Sequence, residues 1–267
     1  MNNLELPLLR VEELSLSFGG VAAVHAVSFD IDPGECLGLI GPNGAGKTSV
    51  INCISGFYRG DSGRILLEGR DISSLRTDDI VRAGVMRTFQ NVELAANRTV
   101  LRNTLIGAHF RFRASFLEGV FGVGRSLREE RRIEAEAREL LEEFGIGGLS
   151  ERLVGELPYG SRKLVEIARA LLGRPRLLML DEPVAGTSAD EKWHIRDAIV
   201  RVSRRHDVAL LLVEHDVEFV RSMADRLVVM DFGKIIAAGP PSQVLQDAAV
   251  IAAYVGDSES SRDGIAQ

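Results

Sequence analysis

The stretch ECLGLIGPNGAGKTSVINCI, residues 35–54, decides the fold of this chain. A short apolar run predicts a buried strand, a glycine-rich loop follows it, and the pattern becomes helical from Lys47. The loop matches G-x-x-x-x-G-K-[ST], in which glycines let the backbone point its N–H groups at phosphate oxygens. The start of the helix adds a partial positive charge. Strand, loop and helix in this order predict a site for the phosphates of a nucleotide.

Two side chains of this loop carry specific chemistry. Lys47 supplies a mobile positive charge for the β- and γ-phosphates. The Thr48 hydroxyl is an oxygen ligand of the kind that Mg²⁺ prefers. The residues expected to contact the nucleotide here are Gly41, Pro42, Asn43, Gly44, Ala45, Gly46, Lys47, Thr48 and Ser49.

Composition narrows the class of protein. The chain has 267 residues, 45% of them hydrophobic and 26% charged, with a formal net charge of −6. These values exclude wholesale disorder and argue against a nucleic-acid partner, because no basic domain is present. The apolar runs are strand-length, well short of the ~20 residues that cross a bilayer. The first residues show neither a basic nor an apolar region, so we expect no signal peptide there. Cys36 and Cys53 make no disulfide framework, which predicts a reducing cytosol.

Strand-like and helical patterns alternate along the chain, which predicts an α/β fold with a mostly parallel sheet core. Two strand-like runs flank Gly19–Gly20 and predict an N-terminal antiparallel β subdomain. A helix with one apolar face is predicted from Ser126 to Phe144. We interpret residues 1–256 as a single domain, with a core at 1–90 and 156–256 and an inserted helical subdomain at 91–155. The polar tail 257–267 is predicted to be disordered.

Two acids follow a second buried strand. Leu177–Leu180 is fully apolar, and Asp181 and Glu182 come directly after it. Open α/β sheets bind ligands at the carboxyl ends of their parallel strands. Asp181 is therefore a candidate ligand in the Mg²⁺ shell, and Glu182 a candidate general base for a water that attacks the γ-phosphate. Two acids at a strand end are common by themselves, but the phosphate loop upstream favours this interpretation.

Together these motifs resemble those of the ATP-binding subunits of ABC transporters, which are P-loop NTPases. The resemblance extends over nearly the whole chain. Further residues that carry the resemblance stand in the family's order. They are Phe18, like the aromatic residue that stacks on adenine; Gln90, like the Q-loop glutamine; Leu157-Pro-Tyr-Gly-Ser161, like the signature; Ala185-Gly-Thr-Ser188, like the D-loop; and His215, like the switch histidine.

The resemblance implies ATP and Mg²⁺ as cofactors and a Mg-dependent ATP hydrolase. It implies catalytic roles for Glu182, Gln90 and His215, and metal contacts from Thr48, Gln90 and Asp181. It adds Phe18, Tyr159, Gly160 and Ser161 to the nucleotide contacts, although the Tyr159 side chain itself is expected to serve packing. In such proteins the signature of one subunit closes over the ATP on another, so a second ATPase subunit, identical or related, is expected.

Within this family the chain is most similar to importers of branched-chain amino acids, the Liv type. Gly56-Phe-Tyr58, Val165-Glu-Ile-Ala-Arg169 and Ala252-Ala-Tyr-Val-Gly256 carry this similarity. It implies a motor subunit at the cytoplasmic face of the membrane, with two membrane-spanning permeases and, indirectly, an extracytoplasmic solute-binding protein. Importers of urea and short amides share much of the pattern. A soluble ABC ATPase acting on DNA or ribosomes and a P-loop kinase are further alternatives.

Two positions depart from the family. Pro158 replaces the signature serine, so the anion contact is expected from Gly160 and the amides that open the next helix. Ser188 ends the D-loop, where the family usually has Asp or Asn, and its short side chain predicts weaker contact across the dimer. The basic, aromatic segment 108–132 is expected either to contact the membrane subunits or the lipid surface near them, or to be a solvated face.

Overall fold

The structure, a computed structural model, describes residues 6–88, 94–111 and 125–254. Its strands are β1 (Leu9–Phe18), β2 (Val21–Ile31), β3 (Cys36–Ile40), β4 (Ser62–Leu67), β5 (Arg70–Asp71), β6 (Val85–Arg87), β7 (Leu177–Asp181), β8 (Ala209–Val213), β9 (Arg226–Asp231) and β10 (Lys234–Gly239). Its helices are α1 (Lys47–Ile54), α2 (Thr77–Ala83), α3 (Val100–Ile106), α4 (Arg125–Glu143), α5 (Tyr159–Leu172), α6 (Ala189–Arg205), α7 (Val217–Met223) and α8 (Pro241–Val244). Residues 248–254 are also helical.

The strands form two sheets. The antiparallel sheet has the order β2-β1-β4-β5, and the larger sheet has the order β10-β9-β3-β8-β7-β6. In the larger sheet β9, β3, β8, β7 and β6 run parallel, while β10 pairs antiparallel with β9 at one edge. The predicted fold class, a mostly parallel core with an N-terminal antiparallel sheet, is confirmed.

Alternate residues of the central strands face two separate cores. In β8, Leu210 and Leu212 pack with helices α4 to α7, whereas Leu211 and Val213 pack with α1 and the antiparallel sheet. Because both faces are covered, all five residues of β8 are buried. This explains why the central strands read as continuous apolar runs rather than as alternating patterns.

Helices α3, α4 and α5 pack together on one side of the larger sheet. The apolar face predicted for α4 is buried as expected, with Ile133, Ala137, Leu141 and Phe144 each no more than 1% exposed. Gly107, just after α3, lies so close to the backbone carbonyl of Arg169 in α5 that a Cβ at this position would collide with it. These two helices are therefore in direct backbone contact.

The structure differs from the predicted elements in two ways. Several short elements were not predicted, because elements of two to seven residues are too short to show a periodic pattern; they are β5, β6, α2, α3, α8 and the helix at 248–254. Helix α5 begins at Tyr159 and so includes Gly160, which was expected to precede the helix; Pro158 is its extended N-cap residue at ψ 154°. The signature residues Tyr159 and Gly160 therefore lie in the first helical turn and not in the loop before it.

Candidate functional site

The phosphate loop joins β3 to α1 through three glycines with positive φ: Gly41 at 148°, Gly44 at 78° and Gly46 at 98°. A Cβ at Gly41 would collide with the carbonyl oxygen of Met230, and one at Gly46 would collide with that of Ala23. The backbone thus passes too close to its neighbours to allow side chains at these two positions. This tight path leaves Asn43, Gly44 and Thr48 exposed on the outer side of the loop.

Lys47 spans the loop from the first turn of α1. Its ammonium donates to the carbonyl oxygens of Gly41 at 2.6 Å and Pro42 at 2.8 Å. The positive charge is therefore held over the concave side of the loop. Phosphate oxygens that enter the loop can replace these carbonyls as acceptors.

The parallel register sets three strand ends side by side. Val213 of β8 pairs with Leu39 of β3 on one side and with Asp181 of β7 on the other. The phosphate loop, the Asp181–Glu182 pair and His215 therefore leave the sheet at the same edge. A cleft of about 300 Å³ beside them is lined by residues 184–189, Lys192 and residues 214–216.

Asp181 is buried and paired with a residue that the sequence patterns did not single out. The Arg87 guanidinium donates to the Asp181 carboxylate at 2.7 Å and to the Asn52 side-chain oxygen of α1 at 2.6 Å. Arg87 is the last residue of β6. Because that strand was too short to be predicted, nothing in the sequence indicated that Arg87 lies beside Asp181. The arginine connects the acid of β7 to the helix that follows the phosphate loop.

Glu182 adopts a φ of 49°, a left-handed conformation that residues with side chains rarely take. Its amide donates to the Val213 carbonyl at 2.9 Å, so the backbone is held at the end of the sheet while the chain turns away. The residue is half-buried, next to the buried Asp181. Glu182 thus lies at the same end of the sheet as the phosphate loop and His215.

His215 lies at the end of β8 and its side chain is 64% exposed. The neighbouring Glu214 is buried and accepts hydrogen bonds from the backbone N–H groups of Val184, His215 and Asp216 at 3.3, 3.1 and 3.4 Å. Burial raises the pKa of Glu214, and these hydrogen bonds oppose the shift. Glu214 therefore fixes the turn that carries His215 toward the cleft.

The signature segment lies at the start of α5, with Gly160 buried and Ser161 half-buried. The Gly160 N–H donates to the Glu191 carboxylate of α6 at 3.3 Å. The Tyr159 ring lies beside Gly186, where an added Cβ would be 3.5 Å from a ring carbon. Tyr159, expected to serve packing, therefore lies against Gly186 in the segment that resembles the D-loop.

Ser188 is the N-cap of α6, and its hydroxyl accepts from the Glu191 amide at 3.3 Å. Glu191 accepts in return from the Ser188 backbone N–H, which completes a capping box. A sequence search for capping boxes would have found this pair. The serine that departs from the family thus has a role within its own chain.

Phe18 lies at the end of β1, 48% exposed, and its ring makes a T-shaped contact with the ring of Tyr58 at a centroid distance of 5.3 Å. Its exposure leaves a ring surface for stacking. Gln90 lies outside the described residues, as do positions 112–124 of the segment 108–132 and the tail 257–267. Their predicted roles remain predictions.

Two family patterns match parts of this chain. The pattern of the ABC transporter family matches residues 24–185, and that of the branched-chain amino acid ATP-binding cassette transporters matches residues 234–260. The chain therefore belongs to the ABC transporter family, as its ATP-binding cassette, and is an ATPase of that class. This confirms the family and the type of enzyme predicted from the sequence.

Similar proteins extend over nearly the whole chain. It is 40% identical to the high-affinity branched-chain amino acid transport ATP-binding protein BraF of Pseudomonas aeruginosa, over 94% of this chain and 99% of that protein. It is 37% identical to the protein LivG of Escherichia coli strain K12, with the same coverage. The ADP conformation of MJ1267, an ATP-binding cassette of an ABC transporter, superposes with a TM-score of 0.82, 34% identity and coverage of 94% and 99%.

A nucleotide-free ATP-binding cassette from an ABC transporter gives a TM-score of 0.80 at 34% identity, over 93% of this chain and 99% of that one. These relatives are ATP-binding parts of transporters, so membrane permeases are the class of partner expected for this chain. No helix in the described part of the chain is long and apolar enough to cross a membrane.

Proposed function

We propose that this chain binds and hydrolyses ATP to drive an importer of branched-chain amino acids. The observation that carries the ATPase mechanism is the register that brings the phosphate loop, Asp181–Glu182 and His215 to one edge of the sheet. The solute is supported by the names of relatives that are 37% and 40% identical over nearly the full length, and by the C-terminal match at 234–260.

ATP binding begins at the phosphate loop. The Lys47 ammonium exchanges the carbonyls of Gly41 and Pro42 for β- and γ-phosphate oxygens, and the loop amides at the start of α1 add further donors. The exposed ring of Phe18 stacks on the adenine. These contacts hold the nucleotide with its γ-phosphate facing the ends of β7 and β8.

The residues present fit a magnesium ion. The Thr48 hydroxyl and the Asp181 carboxylate are oxygen donors, which suit this cation. Phosphate oxygens of the nucleotide and waters would supply its remaining ligands. When bound, the ion neutralises charge on the phosphates.

Hydrolysis then depends on Glu182, which accepts the proton of the attacking water, while the exposed imidazole of His215 contacts the γ-phosphate. The sequence-based role of Gln90, in the same chemistry, is part of this proposal. The signature residues Tyr159, Gly160 and Ser161 complete the site of a second subunit, identical or related. Loss of the γ-phosphate removes the charge that joins the two subunits, so they separate.

In this proposal the chain sits at the cytoplasmic face of the membrane, against two permease subunits, and an extracytoplasmic binding protein delivers the solute. An uptake experiment tests the solute. The chain is expressed with candidate permeases and a solute-binding protein from the same genome, and uptake of labelled leucine and labelled urea is measured, with Lys47→Ala as the inactive control. We expect ATP-dependent uptake of leucine that the control abolishes.

Uptake of urea without leucine would assign the chain instead to the urea and short-amide importers. Co-purification from detergent-extracted membranes tests the class of protein. We expect the chain to remain with two polytopic proteins. A chain recovered with nucleic acid or ribosomes and with no membrane protein would contradict the transport role.

A further inference from the structure

The Glu191 carboxylate connects the first turns of α5 and α6, where the proposed site receives the ATP of a second subunit. Glu191 accepts from the backbone N–H of Ser188 at 2.9 Å and from its hydroxyl at 3.0 Å with one oxygen. Its other oxygen accepts from the Gly160 N–H at 3.3 Å. The same side chain therefore contacts both the signature and the end of the segment that resembles the D-loop.

The Glu191 carboxylate lies directly against the backbone of Gly160. A Cβ at this position would lie 2.6 Å from the Glu191 oxygen, so the carboxylate packs directly on the backbone of the signature. Pro158, the N-cap residue, makes no side-chain capping hydrogen bond. The Glu191 carboxylate is thus an anion that the chain itself places against the start of α5, where helices favour negative charge.

We propose that Glu191 sets the affinity of the signature for phosphate, because it occupies the N–H of Gly160 that the γ-phosphate on a partner subunit must take. The inference rests on the proposed head-to-tail pairing of subunits. Hydrogen bonds from the Ser188 backbone and hydroxyl lower the pKa of Glu191, so the side chain is a carboxylate at neutral pH. The approaching phosphate therefore meets an N–H group of Gly160 that is already hydrogen-bonded, and it is repelled by the negative charge of Glu191.

Two consequences distinguish this role from a merely structural one. If Glu191 only supports the two helices, any substitution will weaken both folding and closure of the pair. If it competes with the phosphate, removal of its charge will weaken the capping box but favour closure. Stability and ATP-driven pairing should then change in opposite directions.

The test uses the Glu182→Gln chain, in which bound ATP persists, and adds Glu191→Gln. Sedimentation or light scattering follows dimer formation as ATP is titrated. We expect the ATP concentration for half-maximal dimer to fall by about three- to ten-fold, as expected for removal of one close, partly screened like charge. We also expect a lower Tm, because the amide cannot accept from both Ser188 and Gly160.

Thr99→Ala is the matched control. Thr99 caps α3 by accepting from the Arg102 amide at 3.2 Å, so its loss costs a similar N-cap away from the signature. We expect a lower Tm with an unchanged ATP titration. Weaker or unchanged dimer formation in Glu191→Gln would overturn the role of Glu191. If the parent binds ATP and stays monomeric, the head-to-tail pairing fails, and this inference fails with it.

Discussion

The Arg87 guanidinium lies 2.7 Å from the Asp181 carboxylate, and each side chain is only 9% exposed. A second N–H of the same guanidinium reaches Asn52, so one arginine connects β6, β7 and α1 behind the phosphate loop. Both charges have lost most of their water, and each depends on the other for compensation. The acid proposed to help hold magnesium is thus positioned by a residue outside the recognised motifs.

Arg87→Ala should lower the free energy of unfolding by about 3–5 kcal/mol, because it leaves a buried carboxylate without its partner. Urea denaturation measures this difference. Arg64→Ala is the matched control, since Arg64 pairs with Glu12 at 2.9 Å but is 65% exposed. We expect less than about 1 kcal/mol for the control. Equal effects of the two substitutions would show that the Arg87–Asp181 pair contributes nothing beyond a surface ion pair.

Lys47→Ala and Glu182→Gln should both abolish ATP hydrolysis, but for different reasons. The first removes the cation held over the phosphate loop, so ATP binding should weaken at least about ten-fold. The second keeps every phosphate contact and removes the proton acceptor, so hydrolysis should fall by about 10²–10⁴ while binding stays tight. Steady-state hydrolysis and binding of a fluorescent ATP analogue separate the two effects.

The Glu182→Gln chain should also form an ATP-dependent dimer, because the γ-phosphate that joins the subunits is retained. Lys47→Ala should remain monomeric at the same ATP concentration. Normal turnover by Glu182→Gln would rule out its role as the base.

Pro158→Ser should change the rate of hydrolysis by no more than about twelve-fold, since one added hydroxyl hydrogen bond is worth roughly 0.5–1.5 kcal/mol. The backbone N–H groups at the start of α5 are already in place, with Pro158 at ψ 154° leading into the helix. ATPase assays of the assembled transporter provide the measurement. A gain far above this range would show that the missing signature hydroxyl limits turnover.

The two cysteines should not react with a thiol reagent in the folded chain below about pH 9. Burial raises the pKa of Cys36 to about 12 and that of Cys53 to about 11. An unfolded thiol ionises near pH 8.5, so both should react promptly in denaturant. Because only the unfolded thiols release protons, each one lowers stability as the pH rises above about 8.5. Rapid labelling of the native chain at pH 8 would contradict this prediction.

The phosphate loop, the acids at the end of β7 and the buried face of α4 could be predicted from local sequence. Each depends on a motif or on a hydrophobic period within a short stretch. Arg87 and Glu191 were not predicted. The capping box of Glu191 with Ser188 is a local pattern, but the contact of Glu191 with Gly160 and that of Arg87 with Asp181 join residues 31 and 94 positions apart, which no local pattern encodes. The functions assigned to Phe18, Gln90 and His215 stay predictions, since they require a nucleotide to test them.

The backbone contact between Gly107 and Arg169 also affects how nucleotide state is sensed at a distance. No side chain separates the backbone at Gly107 from the Arg169 carbonyl, so we expect a movement of α5 to shift α3 as well. A protein seated against α3 would then register closure of the two cassettes through this contact.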